Sequence, residues 1–220
     1  TLKAVRILRD VPCICVTKGR EEGSSLALSI VEKALDLNGK EIIEAHFPMR
    51  KTRLPEHDNE LNSKWHETVN TVLTRLNQGA DMAFITLGDP SIYSTFFYLY
   101  DRLIGLNPAL NIELIPGVSS INASASRAKI SLGLADEKIA ILPATYTDNL
   151  KEILVKFDTV VLMKVHKVFD DVLRTLCETD LADKAVYISR TGMENEKIFR
   201  DIREVREQDL DYFSMLLVKK

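Results

Sequence analysis

The strongest constraint on the fold is an alternation in the first half of the chain. Short apolar runs at 12–16, 41–47, 81–88 and 111–117 are separated by segments whose apolar residues recur at spacings of three and four. Runs of that length, bounded by turn residues, read as buried strands, and the spacing between them reads as amphipathic helix. The resulting order, strand and helix in strict turn, predicts an α/β layered sheet with crossover helices. A short helix over 1–8 comes first, with no start signal before it, so the sequence opens inside something already under way.

Local signals place the pieces. Ser24 and Ser25 cap a helix that runs to Asn38-Gly39, the segment 61–79 is an amphipathic helix ending on Gly79, and 95–106 is a third. The stretch 48–60 is polar, proline-punctuated and too long for a mere connector. The second half is patterned differently. A small-residue helix over 119–130 precedes strands at 138–144, 159–165 and 184–192, with a helix at 170–182 and two closing strands at 197–205 and 212–220 joined by a short polar link. With 220 residues, an α/β half followed by a more mixed half predicts two domains, 1–116 and 117–220, meeting near Pro116-Gly117.

Composition excludes several classes. A formal net charge of −3 offers no overall basic field for nucleic acid. The longest apolar runs fall far short of the ~20 residues that span a bilayer. Cys13, Cys15 and Cys177 are an odd set without metal-ligand or disulfide-framework spacing, which points to a reducing cytoplasm. Cys13 and Cys15 fall on one face of a strand and read as small buried hydrophobes. His46 and His66 read as structural histidines, and no His–carboxylate pair has metal-ligand spacing.

In open α/β sheets, ligands gather beyond the carboxyl ends of the strands. Four loops lie there. Those near Gly88-Asp89-Pro90 and Pro116-Gly117-Val118-Ser119-Ser120 are glycine turns flanked by hydroxyls, where bare backbone can approach a ligand. The other two carry Lys18, Arg20, Arg50, Lys51 and Arg53. Each piece also has a plainer explanation: Gly-Asp-Pro and Pro-Gly are stock turns, the basic residues could solvate a loop, and Ser119-Ser120 could cap the next helix. No G-x-S-x-G elbow, phosphate-binding loop or G-x-G-x-x-G follows a strand, which argues against hydrolase, nucleotide triphosphatase and ordinary dinucleotide chemistry.

The stretches 86–96 (TLGDPSIYSTF), 115–126 (IPGVSSINASAS) and 190–202 (RTGMENEKIFRDI) resemble the tetrapyrrole (corrin/porphyrin) methylases. The likeness covers essentially the whole chain, in family order. Within that family, 22–30 (EGSSLALSI) and 46–51 (HFPMRK) look like the branch that methylates C20 of precorrin-2 or cobalt-factor II. Family members open with a strand and a loop like G-x-G-P-G-D-P-E-L-L-T before an "LKA" helix. This sequence begins at "TLKA", so the resemblance implies a strand and loop ahead of residue 1.

The resemblance implies two α/β domains with the active site in the cleft between them, a homodimer, and S-adenosylmethionine as methyl donor, leaving S-adenosylhomocysteine. It matches Gly88, Asp89, Ile92, Ser119, Ser120, Met163, Thr191 and Gly192 to cofactor contacts. A tetrapyrrole substrate carrying eight carboxylate side chains needs local cations, and Lys18, Arg20, Arg50, Lys51, Arg53 and Arg127 are the candidates. His46 or Tyr93 could remove the proton from the methylated carbon. The alternatives are another methyltransferase of this fold, such as a diphthine synthase or a ribosomal-RNA ribose methylase, and a non-catalytic small-molecule binding module; the missing basic surplus argues against RNA.

Overall fold

The computed structural model describes residues 1–18, 25–46, 59–146 and 149–220. The chain divides into two compact units, Thr1–Ser119 and Ser120–Lys220.

In the first unit, β1 (Cys13–Lys18), β2 (Glu41–His46) and β3 (Met82–Ile85) form a parallel three-stranded sheet in the order β2-β1-β3. The central strand is buried on both faces, as parallel strands between helical layers must be. Its alternation shows how. Ile14 and Val16 pack with Leu8 of α1 (Leu2–Asp10), with Val11 just beyond it, and with Ala27 of α2 (Leu26–Glu32). Cys15 points the other way, to Trp65, Val69 and Val72 of α3 (Asn59–Asn77) and Phe96, Leu99 and Leu103 of α4 (Phe96–Leu106). Cys13 and Cys15 are both buried, as the alternation required.

Four details differ from the sequence reading. The first helix does have a start signal, because the Thr1 hydroxyl accepts a hydrogen bond from the Ala4 amide at 3.3 Å. Helix α2, capped by Ser25 as expected, stops at Glu32 rather than near Asn38. Beyond it the Asp36 carboxylate accepts from the Asn38 amide at 3.0 Å, the local bonding by which short polar residues compete with helix. The segment 111–117 is not a strand. It packs Ile112 onto the α3–α4 core but joins no described ladder, and Pro116 has no amide to give one. His66 is exposed on α3, not a buried structural histidine.

The second unit opens with α5 (Ser120–Ala128). Its five-stranded sheet runs β4-β5-β8-β6-β7, built from β4 (Ile139–Pro143), β5 (Thr159–Met163), β6 (Ala185–Ser189), β7 (Lys197–Phe199) and β8 (Ser214–Lys219). One face packs α6 (Leu150–Lys156) and α7 (Phe169–Glu178) around Val160, Leu162, Tyr187, Leu216 and Val218. The α5 helix packs against β6 and β8. Periodicity did not find α6, and the expected strand over 197–205 is cut to Lys197–Phe199, with a helical turn at Ile202–Glu204 that the Asp201 carboxylate caps. The two closing strands are not partners: β8 lies between β5 and β6, antiparallel to both. The β5, β6 and β4 strands therefore run one way, and Pro143, Met163 and Ser189 end at a common edge.

Candidate functional site

In the first unit the loop after β3 and the 115–119 segment lie backbone against backbone at Gly88 and Gly117. Gly88 has φ +73°, a left-handed conformation that costs a residue with a Cβ roughly 1–2 kcal/mol. A Cβ built on Gly117 would lie 2.1 Å from the Gly88 carbonyl oxygen. Only glycine permits that approach. The Asp89 carboxylate closes the join, accepting from the Gly117 amide at 2.9 Å with one oxygen and from the Ser91 amide at 2.8 Å and hydroxyl with the other. These donors, the Ser91 hydroxyl foremost, hold the Asp89 carboxyl below the usual aspartate range. Asp89 thus spends hydrogen bonds inside the protein, aligning two glycine turns.

The neighbouring candidates sit on the same loops. Ile92 is half-buried, with its amide 3.3 Å from the Asp89 carbonyl. Tyr93 has φ +51°, and partial burial pushes its phenol further above neutral pH. A non-glycine residue at such a φ is a strained feature of the kind that clusters at binding loops. Ser119 is buried. Lys18 and His46, the last residues of β1 and β2, are register partners and so end the parallel ladder side by side. Arg20, Arg50, Lys51 and Arg53 lie outside the described residues.

The second unit assembles its own candidates at one edge of the sheet. Met163 ends β5 half-buried, in register with Met215, which is in turn in register with Ile188 near the end of β6. The next residue, Lys164, is left-handed at φ +57°, as are Arg190 at +54° and Gly192 at +76° after β6. Strained backbone therefore follows both strands where the candidates lie. The turn 190–196 is tied to α5, which begins at Ser120. The Ser124 and Thr191 hydroxyls bond at 2.7 Å, and the Glu196 carboxylate accepts from the Gly192 amide at 2.7 Å. Its other oxygen accepts from the Arg127 guanidinium at 2.6–2.8 Å. Arg127, a candidate for the substrate, thus already has a carboxylate partner. Its guanidinium, and then the Gly192 amide, hold the Glu196 carboxyl below its ordinary range.

Sequence reasoning missed Ser124 and Glu196 as members of these arrangements, and it found Gly117 as a glycine turn without its contact to Gly88. An acidic residue four positions beyond a glycine turn looks like any solvated charge until the fold turns it inward. Among the described residues no group of three or more His, Cys, Asp or Glu side chains could hold a metal ion.

Residues 1–205 match the family model for tetrapyrrole (corrin/porphyrin) methylases. The chain belongs to that family. It is 33% identical to a cobalt-precorrin-2 C(20)-methyltransferase of Salmonella typhimurium, over 100% of this chain and 90% of that protein. A probable cobalt-precorrin-2 C(20)-methyltransferase of Methanocaldococcus jannaschii is 32% identical with the same coverage. Among solved structures, the cobalt precorrin-4 methyltransferase CbiF superposes with a TM-score of 0.74 at 18% identity, covering 100% of this chain and 88% of that one. A uroporphyrin-III C-methyl transferase from Thermus thermophilus, solved with S-adenosyl homocysteine, gives 0.62 at 16% identity, with 100% and 90% covered. The tetrapyrrole-methylase fold that the sequence motifs implied is the fold of this chain.

Proposed function

We propose that the protein transfers a methyl group from S-adenosylmethionine to C20 of precorrin-2 or its cobalt-loaded counterpart, in cobalamin biosynthesis. The observation that carries this is similarity along the whole chain to relatives bearing that activity, at 33% and 32% identity. The cofactor suits the residues present. Its adenine and ribose need an apolar slot lined by a few aimed backbone groups. The close Gly88–Gly117 join would let a ligand lie directly against main chain.

On this reading Gly88, Asp89, Ile92 and Ser119 of the first unit, and Ser120, Met163, Thr191 and Gly192 of the second, are the cofactor-contacting residues. Asp89 serves by holding the Gly117 turn against Gly88. Met163 supplies apolar surface for the adenine, and the Thr191–Gly192 backbone reads its edge. Lys18, Arg20, Arg50, Lys51, Arg53 and Arg127 pair with the substrate's carboxylates. S-adenosylmethionine supplies an electrophilic methyl when bound. The protein's part is to align the attacking macrocycle carbon and to exclude water. The carbon that gains the methyl then loses a proton. His46, at the end of β2, is the candidate acceptor, while Tyr93, protonated at neutral pH, is better suited to donate a hydrogen bond. The protein works as a homodimer in the cytoplasm. Among the described residues no helix is long and apolar enough to cross a membrane.

Mass spectrometry of products from precorrin-2 and its cobalt form, incubated side by side with S-adenosylmethionine, tests the activity. One added methyl at C20 on either substrate is expected, and no methylated product on both would sink the proposal. Light scattering on the purified protein checks the dimer, which a monomer mass would refute.

A further inference from the structure

Glu196 stands between two residues with different expected partners. Its side chain is 10% exposed, whereas that of Arg127 is 61% exposed. A carboxylate so withdrawn from water is tolerable only when fully paired, and each of its oxygens has a separate donor. One receives the Gly192 amide at 2.7 Å, the other the Arg127 guanidinium. Gly192 is left-handed, so its amide direction is set by a conformation that few other residues adopt. Two further contacts hold the same stretch to α5 without Glu196: the Ser124–Thr191 hydroxyl pair and the Arg200 guanidinium on the Ala128 carbonyl at 3.0 Å.

We infer that Glu196 is the positioning residue of the cofactor turn. Through one oxygen it orients the Gly192 backbone, and through the other it sets Arg127, so a single carboxylate joins the cofactor reader to a substrate-facing cation. This rests on the methyltransferase reading given above. The two oxygens can be separated chemically. In Glu196→Gln the amide oxygen still accepts from Gly192, but the negative charge that holds Arg127 is gone. In Glu196→Ala both functions are lost. Arg127→Met removes the guanidinium alone and leaves the Gly192 contact in place.

The experiment is calorimetric titration of the full chain with S-adenosylhomocysteine, alongside steady-state kinetics with the tetrapyrrole. Losing an oriented acceptor on a backbone amide should weaken S-adenosylhomocysteine binding by about tenfold in Glu196→Ala. The Glu196→Gln and Arg127→Met variants should bind it like the wild type, yet both should raise KM for the tetrapyrrole with kcat little changed. The two remaining α5 contacts should keep all three variants folded, which their far-UV circular dichroism will report. Wild-type affinity in Glu196→Ala overturns the inference alone, as does Glu196→Gln losing as much affinity as Glu196→Ala. A wild-type protein that binds no S-adenosylhomocysteine overturns the methyltransferase reading and this inference together.

Discussion

Substituting Gly117→Ala tests the join between the two glycine turns most directly. The added methyl carbon would lie 2.1 Å from the Gly88 carbonyl oxygen, 3.0 Å from its carbon and 3.4 Å from the Asp89 Cα. Comfortable carbon–oxygen contact begins near 3.3 Å, so the first of these is short by roughly 1 Å. All three neighbours are backbone, and no rotamer change relieves the clash. Overpacking of this kind costs about 1–3 kcal/mol. If the turns part by that ångström instead, the 2.9 Å bond from the Gly117 amide to Asp89 is stretched beyond useful length. A hydrogen bond to a carboxylate is worth about 1.5–3 kcal/mol. Relief of one penalty incurs the other, so the net cost should be about 1.5–3 kcal/mol, or a melting point roughly 5–10 °C lower.

Trp65 is the chain's one tryptophan and is buried in the first unit, so its fluorescence during urea denaturation reports the unit that contains the join. The Gly117→Ala protein should unfold at distinctly lower urea than wild type. Gly105→Ala is the matched control. Gly105 lies inside α4 with no atom within 4 Å of its would-be Cβ, so alanine there should stabilise by about 0.5–1 kcal/mol. An unchanged midpoint for Gly117→Ala, or equal shifts for the two variants, would refute the reasoning from close approach.

Acid stability offers a second check. The Asp89 carboxyl is depressed in the folded protein, first by the Ser91 hydroxyl and then by the Ser91 and Gly117 amides. Its contribution is therefore complete above the ordinary aspartate value of about 3.9 and is lost as pH falls through the lower folded value. Asp89→Asn should melt lower than wild type at neutral pH, with the gap closing on acidification below about pH 4; a gap independent of pH would contradict this. Thiol reactivity provides a third. Burial pushes the Cys15 thiol up to about 12 and raises that of Cys13, while Cys177 is exposed on α7. Native protein should release one fast equivalent with Ellman's reagent and denatured protein all three. Rapid reaction of a second native thiol would show that β1 is not buried as described.

How much of this could be read from the sequence depended on what each residue's signal encodes. The unbroken apolar run along 12–16 revealed a strand buried on both sides, because packing against helices on two faces at once leaves no position for a polar side chain. The three-and-four spacing of α3 and α4 was likewise imprinted by packing. Pairing order was not. Both 197–205 and 212–220 carry strand-like residues, yet nothing local says that β8 joins β5 and β6 rather than β7. The segment 111–117 looked like a strand because Ile112, Leu114 and Ile115 make a short apolar run closed by Pro116-Gly117, although of these only Ile112 packs into the described core. At the site, turn chemistry pointed to Gly88 and Asp89. It could not tell that the Asp89 oxygens turn back on Gly117 and Ser91, since that depends on two loops separated by the whole of α4.

The central place of β8 has a consequence for how the second unit comes into being. Until residues 214–219 have been synthesised, β5 and β6 share no neighbour, and the β4–β5 pair and the β6–β7 pair are separate ladders with open inner edges. Val161, Leu162, Tyr187 and Ile188, all wholly buried in the finished sheet, then await the strand that lies between them. Such edges are templates for pairing with other chains, and late non-local closure is intrinsically slow. The unit should therefore fold as a single event, when β8 zips the two ladders together, and a nascent chain stalled before residue 214 should be markedly prone to aggregation.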